Sequence, residues 1–246
     1  MTAAATTPQR AYAPGAWSQF FAFVRRPVLP DRATGVRAAA FPVIGKLYLL
    51  DVMVMATLIA AAALAQRLGM TMPENLVSHV QPTPLALGLI AVGLPLAEET
   101  LFRSWLSGRP GHLGALVTVL VTGGLAWAML GSGQSVPRDL AGLGVLAGGL
   151  GLTGWWLWWG RKRPALGWFQ RRFAWFYYGI TALFAAAHMT NFAGGMAWAT
   201  LPLTLPQFVV GLMLGHLRVR YGLWSSMLLH VLHNSLFLLL LLAGTS

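Results

Sequence analysis

The chain has 246 residues, of which 57% are hydrophobic and only 9% are charged, and its mean hydropathy is +0.64. Soluble domains carry about 25% charged residues, so the composition excludes an ordinary soluble domain and indicates a polytopic membrane protein. Basic residues in cytoplasmic loops explain the net charge of +11 better than nucleic-acid binding, which we do not expect. There is no cysteine, which excludes disulfides, a thiol nucleophile and a cysteine metal site.

The first 40 residues form a segment in front of the apolar part of the chain. Residues 1–17 are polar and small, and they lack the apolar run of a signal peptide. Residues 17–24 are rich in aromatic side chains and precede two arginines, which predicts an interfacial anchor too short to cross a bilayer. We therefore divide the chain into an N-terminal cytoplasmic or interfacial segment at 1–40 and one transmembrane domain at 41–246.

Seven apolar stretches follow, each close to the 20 residues that a helix needs to cross a bilayer. They lie at 44–66, 84–106, 112–130, 140–160, 175–193, 198–216 and 222–243. The sequence therefore predicts an all-α fold, a polytopic bundle of about seven transmembrane helices.

The basic residues are distributed unevenly between the two sides of this predicted bundle. Thirteen lie before the first stretch or in every second loop after it, and two lie in the other loops. Because cytoplasmic loops are enriched in Lys and Arg, we expect the N-terminus in the cytoplasm and the C-terminus outside. Abundant alanine, and more arginine than lysine, favour a bacterial source. We therefore expect a multi-pass protein of the cell membrane, in bacteria the inner one.

Glu98 and Glu99 are adjacent acids inside the second apolar stretch. A charge at the bilayer centre costs roughly 2.5–3.5 kcal/mol on insertion scales, so an acid there is a candidate functional residue. On a helix Glu99 and Arg103 share a face and can pair, whereas Glu98 points about 100° away and is not claimed by that pair. Pro95, just upstream, is expected to loosen the helix. The alternatives are an ion pair that holds helices together and a proton relay.

The fifth and the seventh apolar stretches carry histidines as well. Phe184 and His188 lie one turn apart in the fifth stretch, where a lone His is more often a packing residue. His230 and Asn234 lie one turn apart in the seventh, with interhelical hydrogen bonding as the alternative. A carboxylate, two imidazoles and an amide at membrane depth are enough to activate water and to stabilise an oxyanion. Together the residues predict a hydrolase without a Ser or Cys nucleophile.

The depths of these residues can be compared along their helices. At 1.5 Å per residue, Glu98 and His230 lie roughly 12 Å from the cytoplasmic ends of their stretches. His188 lies roughly 16 Å deep if its helix begins at Tyr177. We therefore expect the three side chains at nearly one level, on the cytoplasmic side of the midplane.

The other polar side chains in the apolar stretches include Lys46, Asp51 and His233. Lys46 is close enough to the interface for its ammonium to reach water. Asp51 lies deeper, and we expect it to make a structural polar contact. His233 is one turn from His230 but sits further round the helix.

These motifs resemble those of the CAAX protease and bacteriocin-processing family of intramembrane endopeptidases, also called the Abi family. Its pattern is E-E-x-x-x-R, then F-x-x-x-H, then H-x-x-x-N, each on a separate transmembrane helix. This chain carries the three in that order, at 98–103, 184–188 and 230–234. The resemblance covers the second to seventh stretches and implies a peptidase embedded in the membrane.

The resemblance also implies a role for each residue of the motifs. Glu98 would be the base that activates water, and His188 would cooperate with it. His230 and Asn234 would form the oxyanion site. The supporting residues would be Glu99, Arg103 and Phe184. The pattern leaves His233 without a role.

One feature departs from the family pattern. The first two motifs usually lie 35–40 residues apart on consecutive helices, but Glu98 and His188 are separated by 90 positions, the difference between their residue numbers. Two predicted helices lie between them. An inserted pair of helices preserves the direction of the chain, so we expect His188 to return to the side of Glu98.

Several alternatives remain open. The leading prediction is a glutamate-type peptidase without a cofactor that cleaves a membrane-associated peptide or protein in the lipid bilayer. A zinc-dependent version would use Glu98, His188 and His230 as ligands, although no H-E-x-x-H signature is present. A third alternative is a non-enzymatic membrane protein, such as an immunity factor, a scaffold or a transporter, although no inverted repeat is evident.

Overall fold

The chain folds into helices joined by turns. The computed structural model describes residues 15–130, 136–195 and 198–244. Its α-helices are α1 (Ala16–Arg25), α2 (Ala40–Arg67), α3 (Pro84–Ser107), α4 (Pro110–Leu130), α5 (Val136–Gly160), α6 (Gly167–Arg171), α7 (Phe173–Ala187), α8 (Leu205–Tyr221) and α9 (Leu223–Gly244). Within the described residues, strand-like pairing is limited to a single bridge between Asn75 and Phe192. The predicted all-α fold is therefore confirmed.

Among the described residues, six helices are long and apolar enough to cross a membrane. They are α2, α3, α4, α5, the stretch Thr200–Tyr221 that contains α8, and α9. The predicted polytopic bundle is confirmed, but the stretch at 175–193 differs, because α7 has only 15 residues. These rise about 22 Å, less than the roughly 30 Å of a hydrocarbon core. After α7 the chain forms the 3₁₀ turn His188–Asn191 and bends at Gly194, where φ is 93°.

Helix α8 lies at the centre of the bundle and packs against α2, α7 and α9. Gly215 lets α7 approach closely, since a Cβ atom at this position would lie 2.7 Å from the ring of Tyr177. The hydroxyl of Tyr177 donates a hydrogen bond to the carbonyl of Leu212 at 2.7 Å. The hydrophobic core therefore surrounds α8, and the helices that carry the three sequence motifs, α3, α7 and α9, are arranged around it.

The predicted inserted pair of helices, α4 and α5, forms an antiparallel hairpin at one side of the bundle. Its two helices pack chiefly against each other. They touch at Gly111 and Gly160, where an added Cβ atom would meet the backbone of the other helix. The hairpin meets the rest of the bundle mainly at the 3₁₀ turn Ser104–Ser107. The insertion therefore lengthens the chain between α3 and α7 without separating these two helices.

The aromatic segment near the N-terminus forms α1, which docks against α2 and α8. Phe20 is buried in the core, and the indole of Trp17 donates to the carbonyl of Lys46 at 2.7 Å. Residues 1–14 of the predicted N-terminal segment lie outside the described residues. The position of α1 at a membrane interface, and of the N-terminus in the cytoplasm, stay predictions.

The two ends of the bundle differ. At the arginine-rich end, Arg218 donates to the carbonyl oxygens of Arg103 and Ser104 at 2.8 and 2.5 Å and closes the end of α3. At the other end, the connection 68–83 meets the connection 188–204. They are joined where the amide of Ala193 donates to the carbonyl of Glu74 at 2.8 Å. The end formed by these two connections contributes part of the wall of a cavity.

Candidate active site

Helix α3 is irregular just before its two acids. Over Leu89–Gly93 it forms a π turn, in which the amide of Leu94 donates to the carbonyl of Leu89, five residues back. In the same register the carbonyl of Ile90 would face the nitrogen of Pro95, which has no hydrogen. The loosening expected from Pro95 is therefore present as a π turn, a distortion often found at functional sites.

Asn234 supplies the hydrogen bond that proline withholds. Its Nδ2 atom donates to the carbonyl of Ile90 at 3.1 Å. A partly buried carbonyl without a donor would cost free energy, so this bond compensates for the π turn. It also fixes α9 against α3 about two turns before Glu98. One N–H of the Asn234 amide is used in this bond, and the second is left for another acceptor.

Glu99 and Arg103 form an ion pair one helical turn apart. Both side chains are at most 1% exposed, and Nη1 of Arg103 donates to Oε1 of Glu99. The guanidinium lies over the ring of Phe184, with Cζ 4.1 Å from the centroid, which adds a cation–π contact. The pairing expected from the spacing is present, and the cation–π contact of Arg103 with Phe184 holds α3 against α7.

His230 is held by Glu99 on one side and faces Glu98 on the other. Its Nδ1 atom lies 2.9 Å from Oε1 of Glu99, so the N–H at this position donates to the carboxylate. Its Nε2 atom lies 3.6 Å from Oε2 of Glu98. The ring is buried, with a side-chain exposure of 2%.

His188 has the same arrangement with a different anchor. Its Nδ1 atom lies 2.8 Å from the carbonyl oxygen of Phe184 and donates to it. Its Nε2 atom lies 3.9 Å from Oε2 of Glu98, the same oxygen that Nε2 of His230 approaches. Glu98 therefore faces two imidazoles, which come from α7 and α9. Its side chain is 27% exposed, in contrast to the fully buried Glu99.

A cavity of about 440 Å³ opens beside Glu98. The residues of the sequence motifs that line it are Glu98, Phe184, His188, His230 and Asn234. Glu99 and Arg103 are not among its lining residues and lie behind it. The walls further from Glu98 come from the end of the bundle that carries few basic residues, at Asn75, Val80, Asn191 and Phe192.

The family described as type II CAAX prenyl endopeptidase Rce1-like matches residues 80–236, well over half of the chain. This chain belongs to that Rce1-like family. The resemblance inferred from the three motifs is therefore confirmed. A comparison with curated proteins and one with solved structures gave no significant match.

Membership of the Rce1-like family supports an intramembrane endopeptidase of the CAAX type. The matched residues begin just before α3 and include all three motifs, the inserted hairpin α4–α5 and most of α9. Helices α1 and α2 lie outside the match.

One contact of the Rce1-like chain joins a residue inside the match to one outside it. Nδ1 of His233 lies 2.8 Å from Oδ2 of Asp51, and both side chains are buried. The expected structural contact of Asp51 is thus made with α9. His233 also lines the cavity. The sequence singles out both residues, because each is a polar side chain deep in an apolar stretch. It does not predict their contact, since the two positions are 182 residues apart.

Proposed function

We propose that this protein is a glutamate-type intramembrane peptidase in which Glu98 activates the attacking water. The observation that best supports this proposal is that two imidazole Nε2 atoms, from His188 and His230, lie near the same oxygen of Glu98. Because the Nδ1–H of His188 already has an acceptor, a neutral His188 ring presents its Nε2 lone pair beside that oxygen. A water molecule brings two O–H donors, which suit two acceptors, the Glu98 carboxylate and Nε2 of His188.

In the proposed reaction, water attacks the carbonyl carbon of the scissile peptide bond. Glu98 takes a proton from the water, and His188 shares the role of base. The carbonyl oxygen becomes an oxyanion and accepts hydrogen bonds from Asn234 and His230. Asn234 uses its second N–H. His230 donates through Nε2 as the imidazolium, a form that the Glu99 carboxylate beside Nδ1 stabilises.

The buried residues behind the cavity give this site its rigidity. Glu99 is bonded at once to Arg103 and His230, and Arg103 is stacked on Phe184. The contact of Glu99 with His230 joins α3 to α9, and the contact of Arg103 with Phe184 joins α3 to α7. We therefore propose that Glu99, Arg103 and Phe184 support the geometry and take no part in proton transfer.

The cavity favours an extended peptide with apolar side chains as the substrate. Its wall includes Met55, Leu94, Phe102 and Phe237 beside the polar residues of the site. Apolar lining with a few placed polar groups is typical of sites that bind through burial and orient through hydrogen bonds. We propose a membrane-associated peptide or protein with apolar residues next to the scissile bond.

A zinc-dependent version would place the metal between Glu98, His188 and His230, since carboxylate and imidazole are ordinary zinc ligands. Among the described residues, no group of three or more His, Cys, Asp or Glu side chains has an arrangement that could hold a metal ion. The donor geometry thus favours a water held by hydrogen bonds. We place the glutamate mechanism first and the zinc version second.

The test is peptide cleavage by the purified protein in lipid vesicles, with a library of apolar peptides. We expect Glu98→Gln to lower the turnover number by about 10²–10⁴-fold, the usual contribution of a general base. Glu74→Gln is the matched control, because the same change is made on a carboxylate that is 62% exposed. Unchanged cleavage by folded Glu98→Gln protein would show that Glu98 is not the base, whereas absence of cleavage by the folded wild-type protein would favour the third alternative, a role without catalysis.

A further inference from the structure

His188, His230 and His233 are anchored in the same way around one cavity. Each ring has its Nδ1 atom on an acceptor: the carbonyl of Phe184, the carboxylate of Glu99 and that of Asp51, respectively. In each case the Nε2 atom is the one left for the cavity. The first two rings approach Glu98, and the proposed reaction uses both. His233 is the third ring, and the reaction leaves it without a part.

The Asp51–His233 pair is costly to bury, which calls for a reason. Asp51 is 2% exposed in the middle of α2, and His233 is 8% exposed in α9. Replacing a buried ionic pair by apolar side chains is often neutral or stabilising, so a buried pair is weak evidence of a role in stability. A carboxylate at Nδ1 fixes the tautomer and orientation of an imidazole and stabilises its protonated form.

We propose that His233 is a further catalytic residue that protonates the amine as it departs, and that Asp51 is its positioning residue. This rests on the proposed function. His230 and His233 are three residues apart on α9, a rise of about 4.5 Å along the helix. Both line the cavity, so a peptide bond held beside Glu98 has His230 near its oxygen and His233 further along the chain.

The proton transfers balance. Water forms the new C–O bond, and its proton passes to Glu98. When the C–N bond breaks, the electron pair of that bond goes to nitrogen, which takes the Nε2 proton of the His233 imidazolium. His233 is then neutral and keeps its Nδ1–H on Asp51. Glu98 releases its proton to water in the cavity, and His233 regains one from the same source.

A leaving group that needs no proton separates this role from a structural one. An amide nitrogen must be protonated to depart, whereas a nitrophenolate leaves an activated ester without a proton. We expect His233→Gln to lower the turnover number on a peptide by about 10²–10⁴-fold and to change nitrophenyl ester hydrolysis little. Asp51→Asn should show a smaller loss with the same preference for the amide. Equal losses on both substrates, or no loss on either, would overturn the proposal.

Three other variants complete the test. If the single variants do not fold, the double variant Asp51→Leu with His233→Leu replaces the buried pair by apolar side chains, and the ratio of amide to ester loss is read there. Glu98→Gln should abolish both activities. If it retains both, the proposed function fails, whereas the amide-to-ester ratio of the His233 variants still decides the present proposal. A loss confined to the amide in His188→Gln, with none in His233→Gln, would assign the acid to His188.

Discussion

The Nδ1 atom of His230 lies 2.9 Å from Oε1 of Glu99, although the two residues are 131 positions apart in sequence. The same carboxylate is bonded to Arg103. One buried side chain, Glu99, thus joins α3, which carries the first motif, to α9, which carries the last. The two adjacent glutamates differ in their surroundings, because Glu99 is enclosed by partners and Glu98 faces the cavity.

Removing the Glu99 carboxylate should destabilise the protein strongly. In Glu99→Ala the guanidinium of Arg103 stays buried without its partner, which typically costs about 3–5 kcal/mol. Changing both residues, Glu99→Leu with Arg103→Leu, should recover much of that loss in stability. The measurement is the free energy of unfolding in mixed detergent micelles. A single variant as stable as the wild type would show that another group compensates for the charge of Arg103.

The hydrogen bond from Asn234 to Ile90 should be coupled to Pro95. Pro95→Ala restores a backbone N–H that can serve the Ile90 carbonyl, so Asn234→Leu should destabilise that variant less than it destabilises the wild type. We expect a coupling energy of about 0.5–3 kcal/mol in a double-mutant cycle of unfolding free energies. Additive effects of the two substitutions would contradict this account of the π turn.

Glu98 should be reached from the end of the bundle that carries few basic residues. The chain has no cysteine, so single cysteines report without background. With the N-terminus in the cytoplasm, we expect a membrane-impermeant thiol reagent to label Asn191→Cys in intact cells. Trp168→Cys, a 43% exposed position near the arginine-rich end, is the matched control and should react only after permeabilisation. The reverse labelling pattern would show that the cavity opens to the cytoplasm.

Removal of metal ions should leave the activity intact. The glutamate mechanism needs no Lewis acid, so dialysis against a chelator should change the rate of peptide cleavage less than twofold, roughly the spread of such an assay and far below the ~10²-fold effect of a lost catalytic group. Loss of activity that added zinc restores would instead assign Glu98, His188 and His230 as ligands of a metal.

The helices and the local part of the site follow from sequence because they depend on neighbours. Apolar length predicts the membrane helices, and the four-residue spacing predicts the pair of Glu99 and Arg103. Pro95 signals that α3 is loosened, since a missing N–H is a local property. The early end of α7 was missed, because apolar residues such as Met189 and Phe192 continue past Ala187 while the chain turns.

Contacts between distant helices could not be predicted in this way. Asp51 and His233 each stand out as polar residues in apolar stretches, yet the pattern of one helix does not say which helix it faces. The same holds for Asn234, whose expected role as an oxyanion donor gave no hint of its bond to Ile90. Such pairs depend on how α2, α3 and α9 are arranged around α8.

The ion pair of Glu99 and Arg103 lies within a single helix, and this matters for how the protein is made. During synthesis α3 enters the membrane long before the chain has reached His230. An acid whose only positively charged partner lay on a later helix would pass through the translocation machinery with its full charge. Because Arg103 is one turn away, Glu99 is already neutralised in part when α3 moves into lipid. Helix α3 thus contains the counter-ion of Glu99 before the other helices of the site are synthesised.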